Sequence, residues 1–348
     1  MKTIKEYITI SIIAFAASIV ISACNNTTTT TTKTETSTSP ATPATTTASP
    51  DMAGMKHGGG KKININSAIL SELDKLEAKL GVPALSNKIQ AERPYKTPED
   101  LVAKKVIDQK QFDQIKDLVT IEDIVLTGVE KDADYMVKLG LMKGHLFVAK
   151  ELLDLNKPKD AEPHIGHPVE EIYTDVVDQL NERKVKEFKT TLITLEDLVK
   201  AGAKDNSKVT TNFKESMVAI DGAIAALPET QRKSPAFVLQ VINGLLDTAN
   251  SEYGAAITDG KIKAAIEYQD SRGFIVYANM LYKEIATTMA KERPEEHKVI
   301  TENLKQLTTA WPAAMPPATP VKTTQEVGKL VTTIEQSTQK VIATIASK

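Results

Sequence analysis

The sequence predicts an all-α protein, and three observations support this prediction. Aromatic residues make up only 5% of the chain, whereas Ala, Leu, Ile, Lys and Glu, several of which are strong helix formers, are frequent. From Tyr135 onward, apolar residues recur at helical spacing. No segment carries a convincing strand pattern, and there is no internal repeat.

Composition limits the domain number and the binding partners. The chain has 348 residues, and after roughly 60 residues of leader and linker it can form one large or two modest domains. The formal net charge of −2 provides no global attraction for nucleic acid or acidic lipid. The single cysteine allows no disulfide within the chain, so the folded parts depend on apolar cores.

Residues 1–24 predict an export signal with a lipid attachment site. Lys2 and Lys5 precede an apolar run that is too short for a membrane-spanning helix. The run ends in Ile21-Ser22-Ala23-Cys24, which resembles a bacterial lipobox. This resemblance implies that Cys24 is acylated and anchors an exported protein to a membrane, with the outer membrane or cell surface favoured by Asn25. A free or intermolecularly paired thiol is the alternative.

Residues 25–60 predict a disordered tether, because a Thr-, Pro- and Gly-rich composition cannot bury a core. Its end carries Met52, Met55 and His57, whose soft side chains could hold copper. The alternative is a Gly-rich linker that carries these residues without any binding function, since a flexible site must be ordered when it binds.

Residues 61–121 predict a small domain of four short helices. Asn66 or Ser67 is expected to cap the first helix, Pro83 to begin the second and Thr97 to cap the third. Apolar side chains at helical spacing predict the inward faces. These side chains are Ile69, Leu70, Leu73, Leu76, Leu80, Leu85, Ile89, Leu101, Val102, Phe112, Ile115, Leu118 and Val119.

This segment also resembles a known family. The motifs that carry the resemblance are Ile63-Asn64-Ile65-Asn66-Ser67-Ala68, Glu72-Leu73, Arg93-Pro94-Tyr95-Lys96-Thr97-Pro98-Glu99-Asp100-Leu101 and Phe112 through Ile121. Together they are similar to the paired helix-hairpin-helix module of the membrane-attached DNA receptor of bacterial competence and, in altered form, of the extrinsic U subunit of photosystem II. The resemblance implies a paired helix-hairpin-helix fold.

The hairpin turns favour a protein partner for this module over DNA. DNA-binding hairpins of the family carry a Gly-apolar-Gly triplet, whose bare backbone approaches a phosphate at a helix N-terminus. The matching triplets here are Leu80-Gly81-Val82 and Val106-Ile107-Asp108, which have lost the outer glycines, and Asp108 adds a carboxylate. DNA binding through Gly81, Lys88 and Lys110 remains the alternative.

Residues 134–348 predict a larger antiparallel helical bundle, which a short connector joins to the small domain. Prolines between residues 311 and 320 require an extended stretch across an outer face. Helices are predicted near residues 134–156, 168–184, 187–203, 209–227, 234–258, 261–292, 294–310 and 322–346.

Three histidines of the bundle predict a candidate metal site. His145 projects from the apolar face of its helix, while His164 and His167 lie in the following loop, close to Glu170 and Glu171. Imidazoles and a carboxylate from adjacent helix ends would suit zinc, iron or copper. In the alternative, His164 and His167 cap helices and His145 bonds a core carboxylate such as Glu171.

A second apolar helix face carries Glu267 and Asp270, one turn apart. These carboxylates are candidates for additional metal ligands, and an internal ion pair with an arginine or lysine is the alternative. The neighbouring Gly273 predicts a close helix crossing.

The bundle is also faintly similar to the imelysin-like periplasmic proteins, which carry a Gly-x-His-x-x-Glu motif and are linked to iron uptake. Here His167-Pro168-Val169-Glu170 supplies the His and Glu, but Gly166 directly precedes the His. The sequence thus predicts a lipid-anchored, non-enzymatic binding protein of the cell envelope. The alternatives are a surface DNA receptor and a metallohydrolase that uses Glu170 or Glu171 as its base.

Overall fold

The computed structural model describes residues 62–123 and 125–346. Cys24, Met52, Met55 and His57 lie outside the described residues, as do the predicted signal and tether. The all-α prediction is confirmed for the described part of the chain, where the only strands are two short pairs. No helix among these residues has the length and apolar character needed to cross a membrane.

The helix-hairpin-helix segment forms around a hydrophobic cluster of its own. Strand β1 pairs in parallel with β2, so that Ile63 lies opposite Val119 and the two ends of the segment are held together. The sequence patterns missed this pair because two-residue strands show no alternation. The elements are β1 Ile63–Asn64, α1 Leu70–Leu80, α2 Leu85–Ala91, α3 Asp100–Ala103, α4 Gln109–Ile115 and β2 Val119–Thr120.

The start of α1 differs from the prediction. Asn66 does not cap this helix, because its side-chain amide pairs with the backbone of Tyr95 through bonds of 2.7 and 2.8 Å. The helix begins later, and the Leu70 N–H donates instead to a carboxylate oxygen of Glu171 at 3.2 Å. A residue 101 positions away in sequence therefore supplies the cap.

Other predictions for this segment were partly wrong. Helix α3 begins at Asp100 with Glu99 in the N-cap position, and the Thr97 side chain makes no cap; instead, the Asp100 carboxylate accepts from the Lys96 and Thr97 N–H groups. Ile69 packs into the core of the bundle, and Leu118 is exposed. Most of the other predicted apolar side chains lie in the hydrophobic cluster of this segment. Leu80 and Val102 are partly buried against the cluster, and Leu70 is partly buried outside it.

The bundle contains the eight predicted long helices and several short ones. Pro158, Pro163 and Pro168 each begin a helical turn, which divides the predicted loop into short helices. Its helices are α5 Gly128–Asp154, α6 Pro158–Ala161, α7 Pro163–His167, a π-helical turn Pro168–Ile172, α8 Tyr173–Glu182, α9 Lys189–Lys200, α10 Asn206–Ala225, α11 Glu229–Arg232, α12 Pro235–Ala256, α13 Ala265–Glu292, α14 Pro294–Thr308 and α15 Thr324–Ala346.

A hairpin missed by the sequence patterns separates α12 from α13. Strand β3 Ile257–Thr258 pairs antiparallel with β4 Lys261–Ile262. The two residues between them, Asp259 and Gly260, both have positive φ, as expected for an Asp-Gly hairpin turn. Helix α13 therefore begins at Ala265 instead of residue 261.

Helices α12, α13, α14 and α15 pack in a ring, with α5 against α12 and α13. The predicted non-helical stretch follows α14, and its Trp311 and Ala314 are buried against the ring. Helix α1 of the helix-hairpin-helix segment packs on α12. The helix-hairpin-helix segment thus packs on the bundle through α1 and α12. Within the bundle, α5 packs against α13.

Candidate metal centre

The centre forms where α5 and α13 cross with their backbones almost in contact and almost no side-chain atoms between them. A Cβ atom on Gly273 would overlap the carbonyl oxygen of Gly144, and one on Gly144 would lie 2.6 Å from a ring carbon of Phe274. Only glycine allows this approach of the two backbones. It places His145 of α5 beside Asp270 of α13.

The short helix α7 adds the other two imidazoles. Its first residue is Pro163, and it packs against α5 and α13, which brings His164 and His167 to the same carboxylate. His167 ends α7, and the π-helical turn begins at the next residue. Such turns are rare and occur frequently at functional sites.

Asp270 is the shared partner of three histidines. Its Oδ1 lies 2.6 Å from Nδ1 of His145 and 2.6 Å from Nδ1 of His164, and its Oδ2 lies 3.4 Å from Nδ1 of His167. Burial opposes the charge of this carboxylate, but electrostatic attraction to the rings of His145 and His164 and the hydrogen bonds with them outweigh burial. They hold the pKa of Asp270 well below its ordinary value.

His145 presents an unused nitrogen inside the protein. Because the ionised Asp270 accepts from Nδ1, the neutral ring carries its proton there, and Nε2 keeps a free lone pair. Burial lowers the pKa of His145 despite the opposing charge of Asp270, so the neutral ring is favoured. Its buried Nε2 has no hydrogen-bond partner among the residues that the structure describes.

His164 differs from His145 because both of its nitrogens face acceptors. Nδ1 faces Asp270, and Nε2 lies 2.9 Å from Oε1 of Gln269. The amide orientation of Gln269 is set by its own Nε2, which donates to the Ala314 carbonyl at 3.2 Å. Both nitrogens of this fully buried ring therefore have protein partners, and His164 orients Asp270 without offering a free nitrogen to a metal ion.

His167 is the only one of the three rings with substantial exposure, with 31% of its side chain accessible. Burial opposes its charge, but Asp270 outweighs burial through a hydrogen bond and its charge. Glu171 and Glu267 add to this effect, and the pKa of His167 rises to about 9. In the metal-free centre His167 therefore keeps its proton up to about pH 9, and an ion that binds this ring must displace that proton.

His145, His167 and Asp270 each offer one possible ligand atom, and these three atoms lie within 4.8 Å of one another. A single ion could reach all three after small side-chain adjustments, since metal bonds to imidazole nitrogen and carboxylate oxygen are about 2.0–2.2 Å long. If an ion binds Nε2 of His145, the bond from Nδ1 to Oδ1 of Asp270 fixes the required tautomer, and Oδ2 is the oxygen of Asp270 left for the ion.

The other predicted site residues have different positions. Glu170 is exposed, Glu171 caps α1, and Glu267 is partly buried with an electrostatic effect on His167. The alternative of an arginine or lysine partner for Asp270 was wrong. Arg272 of the same helix pairs with Glu151 of α5 at 2.9 Å.

The structural alternative for the histidines was right that His145 bonds a core carboxylate, but wrong about which carboxylate and about the helix caps. His145 bonds Asp270 and not Glu171, and neither His164 nor His167 makes a side-chain cap at a helix start. Sequence reasoning also missed Gln269, which faces Nε2 of His164, and Glu252, which is a buried acid of α12. A signal for Glu252 existed, because it follows Ala249 by three residues on an apolar helix face.

The helix starts of both hairpins already have a carboxylate partner from this chain. Gly81 ends α1 with positive φ, and Lys88 and Lys110 are exposed. The Glu77 carboxylate accepts from the N–H groups of Ala84 and Ser86 at the start of α2, at 2.9 and 3.2 Å.

The second hairpin uses the same device, since Asp108 accepts from the Gln111 N–H at 2.8 Å at the start of α4. A phosphate at either helix N-terminus would have to displace a carboxylate of this chain.

Comparison with known protein families identifies two segments. Residues 59–120 match the helix-hairpin-helix motif, and residues 228–344 match the iron permease-associated 4-helix bundle domain. The helix-hairpin-helix prediction is confirmed. The second match covers α11 to α14 and most of α15, including Asp270, but none of the three histidines. No curated protein and no solved structure matches the chain.

Proposed function

We propose that the protein binds a transition-metal ion through His145, His167 and Asp270. The observation that carries this proposal is the buried Nε2 of His145, which has no hydrogen-bond partner among the described residues. An unused lone pair in the interior costs free energy unless a ligand satisfies it. The second imidazole and the carboxylate lie close enough to complete a three-ligand site.

Two imidazoles and one carboxylate are suited to zinc, iron or copper. The match of α11 to α15 to an iron permease-associated domain favours iron among these three. Because His167 is partly exposed, a further coordination position would be open to water or to a small ligand. Exchangeable binding of a metal ion fits such a site better than a closed structural role.

We further propose that the protein acts in the cell envelope, attached to a membrane through a lipid on Cys24. In this arrangement the helix-hairpin-helix segment serves protein docking. The carboxylates at both hairpin helix starts support this role over DNA binding, since they disfavour phosphate there. In this arrangement the metal centre belongs to a protein that is attached to the membrane.

Metal binding can be tested on the purified full-length protein. The variants are His145→Asn and His167→Asn, with His297→Asn as the control, because His297 contacts Tyr282 outside the centre. Each protein is loaded separately with Fe(II), Zn(II) or Cu(II), and metal content, Kd and melting temperature are measured with and without chelator. Ligand loss is expected to weaken affinity by at least about 100-fold, a larger effect than removing a supporting residue.

The control is expected to retain one ion per chain, and metal is expected to raise the melting temperature of the wild type. Binding of less than one ion per chain by the wild type, or equal binding by all four proteins, would disprove a site at these residues.

A further inference from the structure

Helix α1 has two faces that serve different contacts. Leu73 and Leu76 point into the core of the helix-hairpin-helix segment. A second stripe at helical spacing contains Ser71, Asp74 and Lys75, which face the bundle. The polar stripe is the contact between the two parts of the chain.

One pair on this stripe is an ordinary ion pair. Lys75 donates from Nζ to Asp247 of α12 at 2.5 Å, and both side chains are partly exposed. The Glu335 carboxyl of α15 also lies close enough to interact with Lys75. This part of the contact combines opposite charges.

The second pair consists of two acids. Asp74 of α1 and Glu252 of α12 are buried, with 8% and 3% exposure, and lie where α1 packs on α12, close enough for a hydrogen bond between their carboxyl groups. A hydrogen bond between two carboxyl groups requires a proton on one of them. Asp74 also accepts from the Ser86 hydroxyl of α2, and Ser71 of α1 bonds Glu252.

The charged groups with the largest effects on this pair are all acidic. Glu77 of α1 and Glu267 of α13 act on Asp74, while Asp270 and Glu267 of α13 act on Glu252. Burial and these neighbours raise the pKa of Asp74 to about 7 and the pKa of Glu252 well above its ordinary value. The docked arrangement therefore favours bound protons.

We propose that Asp74 and Glu252 form a proton-dependent latch that holds the helix-hairpin-helix segment on the bundle and weakens as pH rises. The inference does not require the proposed metal site, since it is argued from the contact between α1 and α12. The docking segment would be held firmly in mildly acidic surroundings and released more readily at neutral or alkaline pH.

The direction follows from proton linkage. A carboxyl whose pKa is raised on docking keeps a proton that the hydrated, undocked group releases. Docking is thus strongest below the ordinary carboxyl pKa of about 4 and weakens as pH rises toward about 7 for Asp74. The raised pKa of Glu252 extends the loss to higher pH.

Hydrogen exchange of the full-length protein at pH 5 and pH 8, corrected for intrinsic exchange rates, measures this effect. The opening constants of α1 and α12 are compared with that of α9, whose main contact is α10. We expect the constants for α1 to increase at least about ten-fold at pH 8, while α9 changes little.

Asp74→Asn separates the latch from general pH effects, because the amide can accept from Ser86 and donate to Glu252 without titrating. This variant is expected to lose most of the pH dependence. Asp247→Asn breaks the ion pair with Lys75 and is the control, expected to increase opening similarly at both pH values.

Equal opening of wild-type α1 at the two pH values would overturn the inference. A pH dependence in Asp74→Asn as large as in the wild type would also overturn it. If Asp74→Asn does not fold, Glu252→Gln replaces it with the same expected result.

Discussion

Asp270 and the pair Asp74–Glu252 are buried acids of one molecule with opposite electrostatic behaviour. All three have at most 8% exposure. Asp270 accepts from imidazoles, and its pKa lies well below its ordinary value. Asp74 and Glu252 face each other and further carboxylates, and the pKa of each is raised. Burial opposes the charge in every case, so the neighbouring groups decide the result.

This difference indicates two uses of buried acids. A carboxylate surrounded by imidazoles stays ionised, orients the rings and leaves one nitrogen free for a cation. A carboxyl pair surrounded by acids retains a proton, and its stability depends on pH. The first arrangement suits ligand binding, whereas the second suits a contact that can open.

Replacement of the central carboxylate is expected to have the largest effect. Asp270→Ala removes the carboxylate oxygen that pairs with Nδ1 of the buried rings of both His145 and His164. The free energy of unfolding should fall by about 3–5 kcal/mol, as for other buried pairs that lose one partner. Chemical denaturation at pH 7 measures this loss.

Asp154→Ala is the matched control, because Asp154 pairs with Lys150 at the exposed end of α5. Its effect should stay within about 0.5 kcal/mol. A loss below about 1 kcal/mol for Asp270→Ala would show that the histidine cluster contributes little to stability and would remove the contrast between the two buried sites.

The glycine crossing tests whether the histidine cluster depends on backbone approach. Gly273→Ala introduces a methyl group into the carbonyl oxygen of Gly144, so α5 and α13 must separate. We expect a loss of about 3 kcal/mol in unfolding free energy, typical of a severe overpacking change, together with weaker metal binding.

Gly222→Ala on α10 is the control, since a Cβ there meets no atom within 4 Å and alanine favours a helix. It should stabilise the protein by about 0.5–1 kcal/mol. Equal melting temperatures for the two variants would mean that the close crossing is not required for the fold.

The long helices could be predicted from the sequence because most of them carry a periodic apolar face and most end near Pro, Gly or Asn. The short elements could not. The β1–β2 pair joins residues 63 and 119 through backbone hydrogen bonds, which leave no side-chain pattern. The cap of α1 comes from Glu171, and a contact between such distant residues has no local signal. The Asp259-Gly260 dipeptide is a recognised signal for a hairpin turn, and the sequence prediction missed it.

For the candidate site, the sequence identified which residues are unusual but not how they pair. His145 and Asp270 each interrupt an apolar face, and this signal was sufficient to select them. Their pairing depends on the crossing of α5 and α13, which sequence spacing cannot provide. The role of Gln269 was missed because a neutral amide beside a carboxylate has no distinctive pattern.

Glu171 provides the smallest test, because it lies between the two buried sites. Its carboxylate accepts from the Leu70 N–H at the start of α1 and contributes to the raised pKa of His167. Glu171→Ala should therefore lower the unfolding free energy by about 1 kcal/mol through loss of the cap. The exchange rates of the first amides of α1 should increase more than those of α12.

Glu170→Ala is the matched control, because the neighbouring Glu170 is exposed and belongs to the same π-helical turn. It should change the unfolding free energy by less than about 0.5 kcal/mol. Similar exchange of α1 in the two variants would mean that water replaces the Glu171 carboxylate without cost. The start of α1 would then be independent of the histidine cluster, and any coupling between the two buried sites would have to pass through α12 and α13 instead.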